Sequence, residues 1–453
     1  MKKFQTILLI IFGVGAILAV VIFAGYIPTP SSKSKFKGSG TVVIWGTENS
    51  ADFVNYFTDL ADGVQDFKIR YVAKDPKTYE AELVQAFADG NAPDLFFVTN
   101  DNVLKFNAQI SPIAYNIMPQ KTYLESFAPA FNVFLSPNGI LAYPFLIDPM
   151  VFYYNKTLLA NDGIALSPKY WDEITKQAEV LTKKDQTNAF LQSTISFGRF
   201  ENNIHAKDII KLLLLQVGNP IIASDGNGNY VSTLGTHKTS LGLSLPAVVT
   251  FFTDFASPDK FVYSWNKSLP DATSSFLTER VVYYVGFSSE LFKLKERNPN
   301  LSLSLSEVPQ PRGVNTKKTY ARLTGIAMSR YSKNQQTAIL TIQTISSPYH
   351  NEQLSKILSL PPIYLSDLKQ NADPALAYQQ TLQNAALRSI SILDPGNSET
   401  TNIFKDLTQN ILAGGTDAEG AYERADGSLS YLLGRFSKPL TNTSNDVTVP
   451  TGN

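Results

Sequence analysis

The sequence predicts an α/β protein built on a mainly parallel sheet. Two observations carry that reading. Between Thr41 and Thr99, short apolar segments alternate with stretches of helical periodicity in the order β-α-β-α-β. Further on, "YPFLIDPMVFYYNKTLL", from Tyr143 to Leu159, is long, extended and almost uncharged. Strands covered by helices on both faces read as apolar runs of this kind.

Each element has its own warrant. "TVVIW" at Thr41 is β-branched, apolar and short, which suits a buried strand. "SADFVNYFTDLADGV" places Phe53, Tyr56, Phe57 and Leu60 at helical spacing. "FKIRYVA" alternates like a strand, and "KTYEAELVQAFADGN" is an amphipathic helix closed by Gly90. "PDLFFVT" is a third buried strand. The Tyr143–Leu159 run reads as two core strands in near-continuation, joined at Ile147-Asp148-Pro149, where the chain leaves one domain for another. Ser167 and Pro168 then mark a helix start in "SPKYWDEITKQAEVLTKK". In such sheets ligands gather at the carboxyl ends of strands. Thr47, Glu48 and Asn49 follow the first strand, and Asn100 and Asp101 follow the third.

Composition excludes several function classes. The 453 residues carry 39 basic and 39 acidic side chains, so no basic excess marks a nucleic-acid surface. There is no cysteine, which removes disulfides, thiolate metal sites, cysteine nucleophiles and lipoprotein acylation. The three histidines lie far apart and in no metal-ligand spacing. "SDGNGNYV" resembles the start of a calcium loop, but Tyr230 stands at the required glycine and Thr236 at the required acid, so a hairpin turn is expected. No P-loop, nucleophile elbow or dinucleotide fingerprint is present, and neither a metal, a cofactor nor catalysis is expected.

The N-terminus is distinct. Lys2 and Lys3 precede an apolar run of 18 residues, Ile7 to Ala24, long enough to span a bilayer. The positive flank places the rest of the chain outside the cytoplasm. A cleaved signal peptide is the rival, but no convincing small-x-small cleavage site precedes Tyr26, which favours an uncleaved anchor over residues 1–27. A proline-, serine- and lysine-rich linker fills 28–40, and a polar tail fills 438–453.

Five segments, taken in order, resemble the extracellular solute-binding proteins of ABC importers, the family that includes the maltose-binding protein. They are "VVIWG" at Val42, "FADGNAPDLFFV" at Phe87, "AYPFLIDPMVFYYNKTLL" at Ala142 with "SPKYWDEI" at Ser167, "FLTERVVYYVGFSSELF" at Phe276, and "NILAGGTDAEGAYERADGSLSYLL" at Asn410. The resemblance implies a two-lobed periplasmic-binding-protein-like fold (type II) with three hinge crossings. These should fall near Phe145–Met150, Ser304–Pro309 and Pro348–Asn351. One lobe would hold 41–146 plus 309–349, the other 151–304 plus 351–437. It further implies a membrane-tethered, monomeric receptor that captures a solute, a carbohydrate, by hinge closure and hands it to permease subunits. A sensory or scaffold protein on the same fold is the alternative.

Site expectations follow from the same match. Asp148 stands where the sugar-binding relative has a carboxylate on ligand hydroxyls, with a hinge cap as its other reading. Thr47, Glu48, Asn49, Asn100 and Asp101 match ligand-facing loops by position, although Ser50 and Asn102 replace basic residues there, which puts maltose itself in doubt. Phe287 follows Gly286, where the family commonly turns an aromatic to the ligand. Trp45 and Trp265 are candidate stacking rings, and Arg322 either reaches the cleft or pairs with an acid. Trp171 is read as a staple between its helix and the sheet.

Overall fold

The computed structural model describes residues 38–436 except 64–65, 226–228, 236–238, 240–241, 371–377 and 415–416. The expected anchor over 1–27, most of the linker and the tail over 438–453 lie outside the described residues. Among the described residues, no helix is long and apolar enough to cross a membrane.

One twisted sheet serves two lobes. Its main strands are β1 (Thr41–Gly46), β2 (Lys68–Ala73), β3 (Leu95–Thr99), β4 (Tyr143–Asn155), β5 (Phe190–Ile195), β6 (Val281–Phe287), β7 (Leu303–Ser306) and β8 (Thr319–Met328). Their lateral order is β2-β1-β3-β8-β4-β6-β5, with β7 also paired to β4. Parallel pairing holds on both flanks, between β1 and β2, β1 and β3, and β5 and β6. The centre is antiparallel: β8 with β3 and β4, and β6 and β7 with β4. The mainly parallel sheet expected from the sequence is therefore mixed. Its central strands return across the joint and run against their neighbours.

β4 is the apolar run singled out in the sequence, and it is a single strand of 13 residues. Tyr143 to Pro149 pair with β8, and Met150 to Tyr154 pair with β6. The two halves serve two cores. Phe145 and Ile147 belong to one cluster with Val42, Phe53 and Phe97. Met150 and Phe152 belong to another with Trp171, Leu213 and Phe252. Side chains this completely removed from water supply the main driving force for each lobe.

Two expectations are corrected. The helix expected to open at Ser167-Pro168 starts at Trp171, because Glu173 Oε2 accepts from the backbone N–H groups of Lys169 (2.7 Å) and Tyr170 (3.3 Å) and so holds the first turn there. Residues 351–368, expected in the second lobe, pack with the first: Leu354, Ile363 and Leu368 lie in its core. Asn351 fixes this segment, donating to Phe145 O at 2.8 Å and accepting from Ile363 N at 3.2 Å. Around Asp225, 222–224 run antiparallel to 230–232, and residues 226–228 of the expected turn lie outside the described residues. Trp171 packs edge-on to Phe152 of the sheet, as a staple does, and its indole donates to Gln216 at 2.7 Å.

Candidate functional site

A cleft of about 990 Å³ opens between the lobes at the ends of β1, β3 and β6. The first lobe contributes Glu48 from the connection after β1, Thr99 from the last position of β3 and Asp101 from just beyond it. The second contributes Asn203 and Lys207 from the start of helix Ala206–Gln216, and Ser289 and Lys293 around the start of helix Glu290–Arg297. The floor is the joint itself, with Asp148 on β4 facing Arg322 on β8 in register.

Asp148 spends both oxygens on the second lobe. Oδ1 accepts from Ser288 Oγ (2.7 Å) and Ser289 N (2.9 Å), and Oδ2 accepts from Ser289 Oγ (2.7 Å). Ser289 precedes helix Glu290–Arg297, so Asp148 caps that helix from across the joint. Burial pushes its carboxyl above the usual range, against the pull of the serine donors and Arg322. Asp148 also lines the cleft, and the amide it accepts from is that of Ser289 rather than one around Pro149.

Beneath the cleft lies a buried ionic network that joins both lobes. Lys211 is wholly buried, and its Nζ lies 2.9 Å from Asp394 Oδ2, 3.3 Å from Asp101 Oδ1 and 3.4 Å from Tyr320 Oη. Lys207 Nζ lies 3.1 Å from Asp394 Oδ2 and also donates to Asn397. Asp208 Oδ2 receives Arg322 Nη2 at 2.6 Å. Three lysine or arginine charges thus meet three aspartates, which is how charges survive removal from water. Burial alone would lower Lys211, yet Asp101 and Asp394 raise it well above its ordinary value. Asp394, despite its own burial, is held far below the carboxylate range by Lys211 and Lys207.

Of the residues expected at the site, the structure gathers Glu48, Asn100, Asp101, Asp148 and Arg322 along the cleft. Asn100 is fully buried and its amide is spent inside the protein, on Asp101, Tyr320, Ile392 and Leu323. The remaining five do not line it. Thr47 and Asn49 flank Glu48 without facing the cleft, and Trp45 packs on the first core under Lys74, whose Nζ is 3.8 Å from the ring. Trp265 is entirely buried, because Asn202 accepts its indole N–H at 2.8 Å and satisfies the one polar group it has. Phe287 is buried too, under the guanidinium of Arg322 at 3.9 Å. A Cβ on Gly286 beside it would crowd the Glu290 carboxylate, which accepts Phe287 N–H at 2.9 Å, and the Tyr284 ring, so a side chain there requires both to shift.

Sequence reasoning missed Lys207, Asp208, Lys211 and Asp394. The signal available was "HAKDIIKLLLLQ", where three charges at 207, 208 and 211 share one side of an otherwise apolar helix. Every residue of that helix is buried.

The profile of the bacterial extracellular solute-binding protein family matches residues 34–379, more than half of the sequence. The chain belongs to that family. This extracellular solute-binding protein shares a fold with several solved structures at low identity. One is the cyclic alpha-maltosyl-1,6-maltose binding protein of Arthrobacter globiformis, 14% identical, TM-score 0.72, covering 87% of this chain and 99% of that one. Another is the sugar-binding protein MalE of Xanthomonas citri, 17% identical, TM-score 0.68, covering 87% and 98%. A third is the GacH receptor of Streptomyces glaucescens, 16% identical, TM-score 0.66, covering 88% and 100%, solved unliganded and with acarbose. The solute-binding protein is thus a two-lobed α/β carrier of a family that binds solutes rather than transforming them.

Proposed function

We propose that the protein is a membrane-tethered extracellular receptor that captures a sugar between its lobes by hinge closure and delivers it to the permease of an ABC importer. The observation that carries this reading is the cleft: about 990 Å³ of space between two lobes that share strand β4, walled by charged, amide and hydroxyl groups together with aliphatic side chains such as Leu146, Leu323 and Ile357. Family membership and the saccharides named for the Arthrobacter, Xanthomonas and Streptomyces proteins support it. The lobes would be 41–147 and 319–368 on one side, and 150–306 with the C-terminal helices from Asn397 on the other. Glu48, Asp101 and Arg322 would contact the ligand, while Asp148 holds the joint.

Phe200 is the one aromatic ring lining the cleft among the described residues. Recognition therefore rests on hydrogen bonds to ligand edges more than on ring stacking. Closure follows from the two-walled site, since contacts to both lobes exist only when the walls approach, and ligand then favours the closed form.

Calorimetric titration of the purified chain with a panel of neutral di- and oligosaccharides tests the reading. At least one should bind with a dissociation constant in the micromolar range or below, about −8 kcal/mol. The same saccharide should lower the radius of gyration in solution scattering. Binding by peptides or polyamines in place of every saccharide would refute the sugar assignment.

The tether is carried by the apolar run from Ile7 to Ala24. Protein from its native host should fractionate with membranes and retain its N-terminal sequence. A mature chain starting near Tyr26 or beyond would show a cleaved leader instead.

A further inference from the structure

The cleft does not end at its rim. A second groove of about 650 Å³ adjoins it, and the two meet at Leu360, whose side chain lines both. Both walls run on from one space into the other. On the second lobe, helix Glu290–Arg297 turns Lys293 to the cleft and Phe292 and Lys295 to this annex. On the first lobe, Ile357 and Leu358 line the cleft. Ser359, whose left-handed conformation (φ 56°) ends helix Pro348–Leu358, lines the annex.

The annex holds what the cleft lacks. Phe292 is 52% exposed there and packs against no other ring among the described residues. Beside it, Lys295 Nζ stands 4.1 Å from the centre of the Tyr378 ring and 5.9 Å from that of Phe292. The two rings steady the charge without taking any of its N–H groups. Lys295 makes no ion pair or hydrogen bond with a described residue, and partial burial pulls its ammonium below its ordinary value. Three donors therefore remain unspent. A single exposed phenylalanine needs no explanation, but this one lies in a concavity, beside a free cation, where the solute cleft continues. A sugar ring fits such a pair: its C–H face covers an aromatic ring while its hydroxyls accept from an ammonium.

We infer that the annex is a binding site for the distal units of a neutral oligosaccharide whose first units fill the cleft, with Phe292 beneath a sugar face and Lys295 donating to its hydroxyls. The inference rests on the cleft being the sugar site. Because both lobes wall the annex, a chain that reaches it adds contacts across the lobes, so longer saccharides favour the closed form more strongly than short ones. A disaccharide seated in the cleft does not reach Phe292.

The test is calorimetric titration of the detergent-solubilised full chain with two homologous series, maltose to maltohexaose and mannobiose to mannohexaose. In at least one series the hexasaccharide should bind about tenfold or more tightly than the disaccharide. Phe292→Ala should remove most of that gain and leave the disaccharide within about twofold of its wild-type affinity. Lys295→Met keeps the apolar stem and loses the donors, and it should weaken the hexasaccharide about fivefold or more; it also serves if Phe292→Ala does not fold. Equal affinity along the series would overturn the inference, as would a gain that survives Phe292→Ala. Equal losses for the disaccharide and the hexasaccharide would also overturn it, by placing the ring in the cleft itself. Failure of every saccharide to bind sinks the sugar reading and the annex with it, whereas a disaccharide that binds without any gain on lengthening sinks the annex alone.

Discussion

Lys211→Met is expected to destabilise the protein by about 3–5 kcal/mol, the usual cost of removing one partner from a buried ion pair. Lys211 is completely buried and is the cation shared by Asp101 and Asp394. Methionine fills a similar volume, so the loss is electrostatic rather than a cavity. It leaves three aspartates to Lys207 and Arg322 alone, in a setting where an unpaired carboxylate is costly. Denaturant titration at neutral pH would show the loss as a lower midpoint. The pH dependence carries a sign. Asp394 and Asp208 titrate below their ordinary value in the folded protein, against the effect of burial, because the buried lysines and Arg322 favour their ionised forms. The stability they contribute is present above the unfolded carboxylate pKa of about 4 and is lost as pH falls below it. Wild-type stability should therefore fall steeply on acidification, and the variant's should fall less. Equal slopes in the two proteins would mean that Lys211 is not the group holding those carboxylates ionised.

Asp148→Ala is expected to cost about 1.5–3 kcal/mol of stability, while Asp148→Asn costs far less. The alanine variant removes the acceptor of three hydrogen bonds and uncaps helix Glu290–Arg297. Asparagine keeps one oxygen for Ser288 Oγ and Ser289 N, and its amide can donate to Ser289 Oγ once that hydroxyl turns. It also carries no charge to desolvate. Because burial raises the Asp148 pKa, the ionised form is the disfavoured one there, and its contribution to stability declines as pH rises through the folded pKa. A neutral isostere avoids that penalty. Thermal melts of both variants, read beside calorimetric titration with the tightest saccharide of the neutral panel, separate the roles. A stable Asp148→Asn that has lost that saccharide would return Asp148 to the list of ligand contacts.

Much of the fold was legible because its signals are local. The alternation from Thr41 to Thr99 appears as β1, β2 and β3 with their helices, and the apolar run at Tyr143 appears as β4. Strand direction at the centre was not legible, since it depends on partners far apart in sequence. The site divides in the same way. Asp148 stood out as the lone charge in an apolar run, and Arg322 was left between cleft and ion pair; it serves both. Trp265 misled because its polar neighbours suggested a loop at the surface, while the group that permits its burial, Asn202, lies 63 residues away. Asp394 had no local signal at all, because its partners Lys207 and Lys211 are 187 and 183 residues distant.

β4 has a bearing on how the chain acquires its structure. Each core takes half of this one strand, and the bond between Pro149 and Met150 joins the halves with no linker between them. Neither lobe can finish its central ladder without drawing the start of the other into place. Helix Ala206–Gln216, with its three buried charges, completes its ion pairs only once Asp101, Asp394 and Arg322 have arrived from distant segments. The two halves should therefore not mature as autonomous folding units, one after the other off the ribosome. A chain arrested before β8 would expose one edge of β4 and leave buried Lys207 without Asp394. Such an intermediate is a natural client for chaperones at the membrane through which the protein is exported.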